Sequence, residues 1–209
     1  MRLICISDTH GMHRQLTVPD GDILIHAGDC LGMGTLAELE DLDNWLSEQP
    51  HRHKILIAGN HDWCLQDDSA AAEALIKNAI YLRDSGVEIE GLKFWGSPWT
   101  PEFFDWAFNL SRGPVIAERW QQIPADTDVL ITHSPPAGIL DQVPTALRAR
   151  SVGCEALTRE LERLSLKIHL FGHIHESHGQ QRMDDCLFVN ASTYNGSLKP
   201  LNPAVVVDL

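Results

Sequence analysis

The stretch KILIAGNHD, residues 54–62, is a short apolar run that breaks at Gly59 into an amide, an imidazole and a carboxylate. A β-branched run of this length bounded by glycine reads as a buried strand. The same grammar recurs on both sides of it. RLICIS (2–7) runs into Asp8 and His10, and DILIHAGD (22–29) ends on Gly28-Asp29. DVLITHSPP (128–136) carries His133, and LKIHLFGHIH (166–175) ends with His173 and His175.

Helical patterns fill the intervals. TLAELEDLDNWLSEQ (35–49) places Leu36, Leu39, Leu42, Trp45 and Leu46 at helical spacing and is stopped by Pro50. Shorter helices are expected at 70–79, at 115–123 behind Pro114, and at 154–165. VEIEGLKFWG (87–96), turning at Glu90-Gly91, and QRMDDCLFVN (181–190) read as hairpins, AVVVD (204–208) as a closing strand, and 97–112 as an ordered aromatic loop. Strands alternating with helices through residue 172 predict a mainly parallel α/β core. The hairpins add antiparallel strands, so the sheets should be mixed, α+β in stricter usage. With no repeat, low-complexity segment or linker, residues 1–209 read as a single domain.

The chain is 44% hydrophobic and 22% charged, an ordinary globular composition. No stretch approaches the length of a membrane span, and MRLICIS reads as a strand, predicting no signal peptide. Five cysteines without a C-x-x-C pair suit a reduced, cytoplasmic protein. The net charge of −13 argues against long nucleic acid and anionic membrane surfaces as partners. It does not exclude an anionic substrate, because a bound metal inverts the local potential. The oligomeric state stays open.

Parallel neighbouring strands deliver their carboxyl ends to one sheet edge, where open α/β sheets bind ligands. Asp8, His10, Asp29, Asn60, His133, His173 and His175 should therefore lie together although they span 168 positions in the sequence. Nitrogen and oxygen donors without thiolates suit borderline divalent metals such as manganese, zinc or iron. Seven such residues exceed one tetrahedral zinc and fit two metals sharing a carboxylate. Gly28, Gly59 and Gly172 allow the tight turns and close approach that aim these side chains. The H-x-H-x-D-H motif, the G-x-x-x-x-G-K-[ST] phosphate loop and the G-x-S-x-G elbow are all missing from the sequence.

In order, D-x-H, G-D, G-N-H-D, a lone His and G-H-x-H resemble the calcineurin-like metallophosphoesterase superfamily. HAGD, IAGNH, GSPWTPEFFDWAFN, THSPPAGILD, the IHE of the last motif, NAST and NPAVVVDL are similar to its small metallophosphoesterase-domain-containing subfamily. The resemblance implies a four-layer α/β/β/α sandwich. It also implies two divalent ions, manganese first among iron, zinc, cobalt and nickel. Asp8, His10 and His175 would hold one ion, Asn60, His133 and His173 the other, and Asp29 would bridge them. His61 would face the substrate without touching metal, oriented by Asp62. Some animal members replace the first histidine of G-H-x-H by glycine; His173 here implies a complete centre.

The two ions bring four positive charges against two carboxylates, so a phosphate ester can dock on an acidic protein. A water or hydroxide on the metals would then attack phosphorus in line, with protonated His61 serving the leaving oxygen or the equatorial charge. The expected substrate is a small phosphodiester or cyclic nucleotide, favoured over monoesters. The alternative is a non-catalytic or weakly active, metal-dependent nucleotide-binding protein of the same fold, which loss of a ligand or of His61 would favour. Trp99, Phe103, Phe104 and Trp106 are dense enough to be core. Their loop also allows Trp99 and Trp106 to form a base-stacking wall, and Trp63 fits either role. His26 reads as a core or supporting histidine, Glu176 as a partner orienting a ligand histidine, and His13, His51, His53, His169 and His178 as structural or solvated.

Overall fold

The computed structural model describes residues 1–146, 148–195 and 201–209. Its apolar runs form two sheets. In the first, β1 (Arg2–Ile6), β2 (Ile23–Ala27), β3 (His53–Ile57) and β4 (Ile80–Tyr81) are parallel, and β15 (Val205–Asp208) lies antiparallel beside β1, in the order β15-β1-β2-β3-β4. In the second, β6 (Leu92–Ser97), β9 (Val129–Thr132), β12 (Ile168–Phe171) and β14 (Cys186–Asn190) are parallel. Hairpin partners β5 (Ser85–Ile89) and β13 (Gly179–Met183) flank them, giving the order β13-β14-β12-β9-β6-β5. Two ribbons complete the strands: β7 (Thr100–Pro101) with β8 (Asn109–Leu110), and β10 (Gln142–Val143) with β11 (Arg150–Ser151).

Side-chain alternation assigns the layers. Leu3, Cys5, Ile23, Ile25, Ile55 and Ile57 face Phe94, Val129, Ile131, Ile168, Leu170 and Val189 in one apolar cluster between the sheets. Ile4, Ile6, Leu24 and Leu56 point the other way, into the cluster that holds Leu39, Leu42, Trp45 and Leu46 of α1 (Leu36–Glu48). Leu130 likewise turns away from the inter-sheet layer, towards the residues of α4 (Pro114–Trp120) and α5 (Glu155–Leu161). The architecture is the expected α/β/β/α sandwich.

Local signals set the helix ends. Thr35 and Glu38 form a capping box, with Thr35 Oγ1 accepting from Glu38 N at 3.2 Å and Glu38 Oε2 accepting from Thr35 N at 2.9 Å. Pro114 opens α4 at a position that needs no amide donor. The predicted helices at 70–79, 115–123 and 154–165 are shorter in the structure, at Ser69–Leu75 (α3), Pro114–Trp120 and Glu155–Leu161. The predicted strands ran long: β2, β3, β9 and β12 stop at Ala27, Ile57, Thr132 and Phe171. Polar residues beyond them belong to turns, where Asp8, His10, Asp29 and His173 take φ values of 54°, 44°, 52° and 67°. Those values are incompatible with a strand. The aromatic loop carries β7 and β8, and α2 (Trp63–Asp67) follows G-N-H-D directly; neither was expected.

Glycine is required where strand ends meet. Gly28 has φ 94°, and a Cβ there would lie 2.6 Å from His133 Nδ1. At Gly172 it would lie 2.1 Å from Asp8 Oδ2. The five cysteines are free, four of them buried. Among the described residues no helix is long and apolar enough to cross a membrane.

His169 on β12 is buried, with Nε2 2.9 Å from Thr132 Oγ1. That hydroxyl donates its proton to Ser134 O at 2.8 Å, so it accepts from Nε2–H. The Nδ1 lone pair is left without a partner among the described residues. Burial pushes this imidazole down to about 3 from an ordinary 6.5. Between those values the unfolded chain binds a proton that the fold refuses, so stability falls as pH drops through the window. His169→Gln is expected to flatten the dependence of unfolding free energy on pH between about 6 and 4, by up to about 1.4 kcal/mol per pH unit. Chemical denaturation across that range measures it, and an unchanged slope would contradict the buried neutral histidine.

Candidate metal centre

Both sheets deliver the carboxyl ends of their parallel strands to one place. Asp8 and His10 follow β1, Asp29 follows β2, Asn60 and His61 follow β3, His133 follows β9, and His173 and His175 follow β12. Bonds across the sheets lock this junction. The backbone N–H of His173 donates to Asp8 Oδ1 and Oδ2 at 3.1 and 3.0 Å. His133 Nδ1 meets Ala27 O at 2.9 Å. A carbonyl can only accept, so Nδ1 carries the proton and Nε2 is left facing the site.

All seven expected donors converge. Asp8, His10 and His175 offer ligand atoms within 4.8 Å of one another, and so do Asp29, His133 and His173. His175 Nε2 lies 3.2 Å from Asp8 Oδ1 and 3.4 Å from His10 Nε2. In the second group His133 Nε2 lies 3.2 Å from Asp29 Oδ1 and 3.1 Å from Asn60 Oδ1. Asp29 reaches towards both, with Oδ2 3.9 Å from His10 Nε2.

The electrostatics fit a cation. Asp8 and Asp29 are 0% and 2% exposed. Burial alone would raise both carboxyls. For Asp8 the hydrogen bond and charge of His175 outweigh burial, and for Asp29 the charge and hydrogen bond of His133 do; both lie below the ordinary range. Burial works against His133 too, but Asp29 outweighs it and holds it up at about 9. Burial, reinforced by the His133 charge, takes His173 down to about 4. Two buried carboxylates thus draw positive charge from the few groups able to supply it. Histidine nitrogens, carboxylate oxygens and one amide oxygen are the donor set for divalent metals of intermediate softness.

His61 reaches into the cluster, with a ring nitrogen within 4.8 Å of ligand atoms of His10 and Asp29. Its backbone N–H donates to Asp29 Oδ1 at 2.8 Å, and its ring meets His10 edge-on at 4.5 Å. The ring is not oriented by Asp62, contrary to what the family resemblance implied. His61 Nδ1 instead lies 3.2 Å from Gly32 O. The Asp62 carboxylate accepts from the backbone N–H groups of Gly59, Leu31 and Cys30 at 2.7, 2.9 and 3.3 Å, tying the β2 and β3 turns together. Burial and then the Asp29 charge push the Asp62 carboxyl up to about 7, against those hydrogen bonds.

The aromatic residues divide. Trp106 stacks on His61 at 4.3 Å and 29°. Trp63 is half-buried and lines a pocket of about 330 Å³ with Trp106 and Phe104. Trp99 is not a wall of the site: it is buried against Phe108, and its Nε1–H donates to Asp84 Oδ2 at 2.7 Å. His26 is a core histidine, paired with Thr9 Oγ1 at 2.9 Å. Tyr194 was missed. Its ring stands edge-on to His10 and His175 at 5.3 and 5.1 Å. The NAST block just before it was the available signal.

Residues 1–177 match the calcineurin-like phosphoesterase family. The chain is 38% identical to human "Metallophosphoesterase domain-containing protein 1", over all of this chain and 71% of that one. Among solved structures, TT1561 of Thermus thermophilus is similar at a TM-score of 0.58 and 14% identity, over 90% of this chain and 88% of that one. A structure titled as that of a novel archaeal phosphodiesterase is similar at 0.52 and 18% identity, over 100% and 93%. The structural likenesses show the fold. The family match spans every strand-end motif that builds the cluster, and with the full-length identity to the human protein it establishes that this chain belongs to the calcineurin-like phosphoesterase family.

Proposed function

We propose that this protein is a cytoplasmic, dinuclear-metal-dependent phosphoesterase that hydrolyses small phosphodiesters, nucleotide diesters among them, with manganese as the preferred metal. The observation that carries the reading is the position of Asp29 between two partly buried donor groups, Asp8–His10–His175 and Asn60–His133–His173. Two divalent ions held by these residues and Asp29 would supply Lewis-acid charge to phosphoryl oxygens and acidify water.

The chain's own groups do the rest. Cross-sheet bonds from His173 N–H to Asp8 and between His133 Nδ1 and Ala27 O fix donors in place before anything binds. Gly32 O holds the Nδ1 proton of His61, so Nε2 is the exchangeable position. In its protonated form His61 can donate from Nε2 to the departing oxygen. Trp106, stacked on the imidazole, limits its rotation. Asp62 acts at one remove, by fixing the turn from which His61 projects.

Asp29→Ala is expected to lose both metals, whereas His61→Ala should keep the full metal content and lower kcat about a hundredfold or more. Elemental analysis beside steady-state kinetics separates the two. Loss of a stoichiometric metal from His61→Ala would overturn the role given to that residue.

Substrate choice falls to the walls, because a metal pair accepts any phosphoryl oxygen. A net charge of −13 repels a long polyanion. We expect a higher kcat/KM for a nucleotide diester than for the matching monoester or for long single-stranded DNA. Trp106→Leu should raise KM and, through His61, lower kcat. Trp99→Ala should leave KM alone and cost stability, about 3–5 kcal/mol for loss of a buried indole. Faster cleavage of monoesters would reverse the assignment.

A further inference from the structure

The family match ends at residue 177, yet the chain beyond it returns to the cluster. After β14, Ser192 bridges to Ser7 at the end of β1. Thr193 N–H and Oγ1–H both donate to Ser7 O at 2.8 Å, and Tyr194 N–H donates to Asp8 O at 3.2 Å. Asn190 anchors the start of the segment: its Nδ2 donates to Ile174 O at 2.9 Å and its Oδ1 accepts from Ser192 N–H at 3.1 Å. The segment 190–194 therefore stitches the end of the second sheet onto the turn that carries Asp8 and His10.

Its last ring lands on two of the donors. Tyr194 meets His10 at 5.3 Å and 76°, and His175 at 5.1 Å and 81°. His10 and His175 meet each other at 5.3 Å and 76°. The three rings form a closed triangle of edge-to-face contacts, a favourable arrangement for aromatic groups. His133 and His173, in the other donor group, make their ring contact with each other instead. The support is one-sided.

We propose that Tyr194 is a positioning residue that sets the affinity of one metal site, Asp8–His10–His175, and not the other. It acts by packing: the planar ring fixes the rotamers of two imidazoles whose Nε2 atoms point at one another, 3.4 Å apart. Outer partners that orient ligand histidines through hydrogen bonds typically change metal affinity by about 10–100-fold, and a ring held against two such imidazoles is expected to act at the lower end of that range. The proposal rests on the reading that the cluster binds two divalent ions.

Chelator-treated wild type, Tyr194→Phe, Tyr194→Leu and Tyr194→Ala would be titrated with Mn²⁺ by calorimetry and with Co²⁺ by visible absorption, each variant first matched to wild type by thermal melting. Tyr194→Phe is expected to keep both affinities within about twofold. Tyr194→Ala and Tyr194→Leu should weaken one of the two by about tenfold or more and alter the Co²⁺ spectrum of that site alone. Equal weakening of both sites, or none, would overturn the proposal. A Tyr194→Phe defect as large as that of Tyr194→Ala would also overturn it, because the hydroxyl would then carry the effect. Should Ala alone melt early, Leu and Phe still decide between ring and bulk. Wild type that binds fewer than two ions would instead defeat the dinuclear reading beneath it.

Discussion

Two carboxylates, Asp8 and Asp29, are buried where the two sheets meet, and this constraint organises the molecule. Like charges in a low-dielectric interior are costly unless hydrogen bonds and opposite charge surround them. Asp8 accepts a forked bond from His173 N–H, and Asp29 accepts from His61 N–H while facing His133. Each of those partners sits at the end of a different strand. The parallel order in both sheets, the close approach at Gly28 and Gly172, and the stitching of 190–194 onto β1 all serve to bring them together.

Backbone strain recurs at the same place, which holds four of the ten non-glycine residues with positive φ among the described residues. Asp8, His10, Asp29 and His173 all hold positive φ, a conformation that costs a non-glycine residue roughly 1 kcal/mol or more. Four such residues around one cluster need a surrounding structure that over-determines them. The inter-sheet core and the Asp62 carboxylate, which gathers three amides from two turns, provide it. The scaffold holds the seven candidate donors at fixed positions, as a preorganised phosphoryl-transfer site would require.

The strands and the convergence of the seven candidate donors were legible because each motif is local: an apolar run, then polar residues at its end. Parallel topology then forces the ends together, so Asp8 and His175 could be paired across most of the chain. What stayed hidden depends on neighbours far in sequence. Asp62 adjoins His61 in the chain but turns to the amides of Cys30 and Leu31, and Gly32 takes the imidazole. Trp99 and Trp106 share one aromatic loop, yet Asp84 draws the first into the core and His61 holds the second at the rim. Tyr194 carries no motif of its own. Strand ends were overrun because only the turn geometry, with its positive φ values, shows where pairing stops.

Asp29 is proposed to lie between two metal sites. Crystals grown with Mn²⁺ and measured at the manganese absorption edge test it most directly. Two anomalous peaks are expected, one within the Asp8–His10–His175 group and one within the Asn60–His133–His173 group, with an Asp29 oxygen in reach of both. A single saturated peak, or a pair of peaks with Asp29 outside the coordination of either, would contradict it.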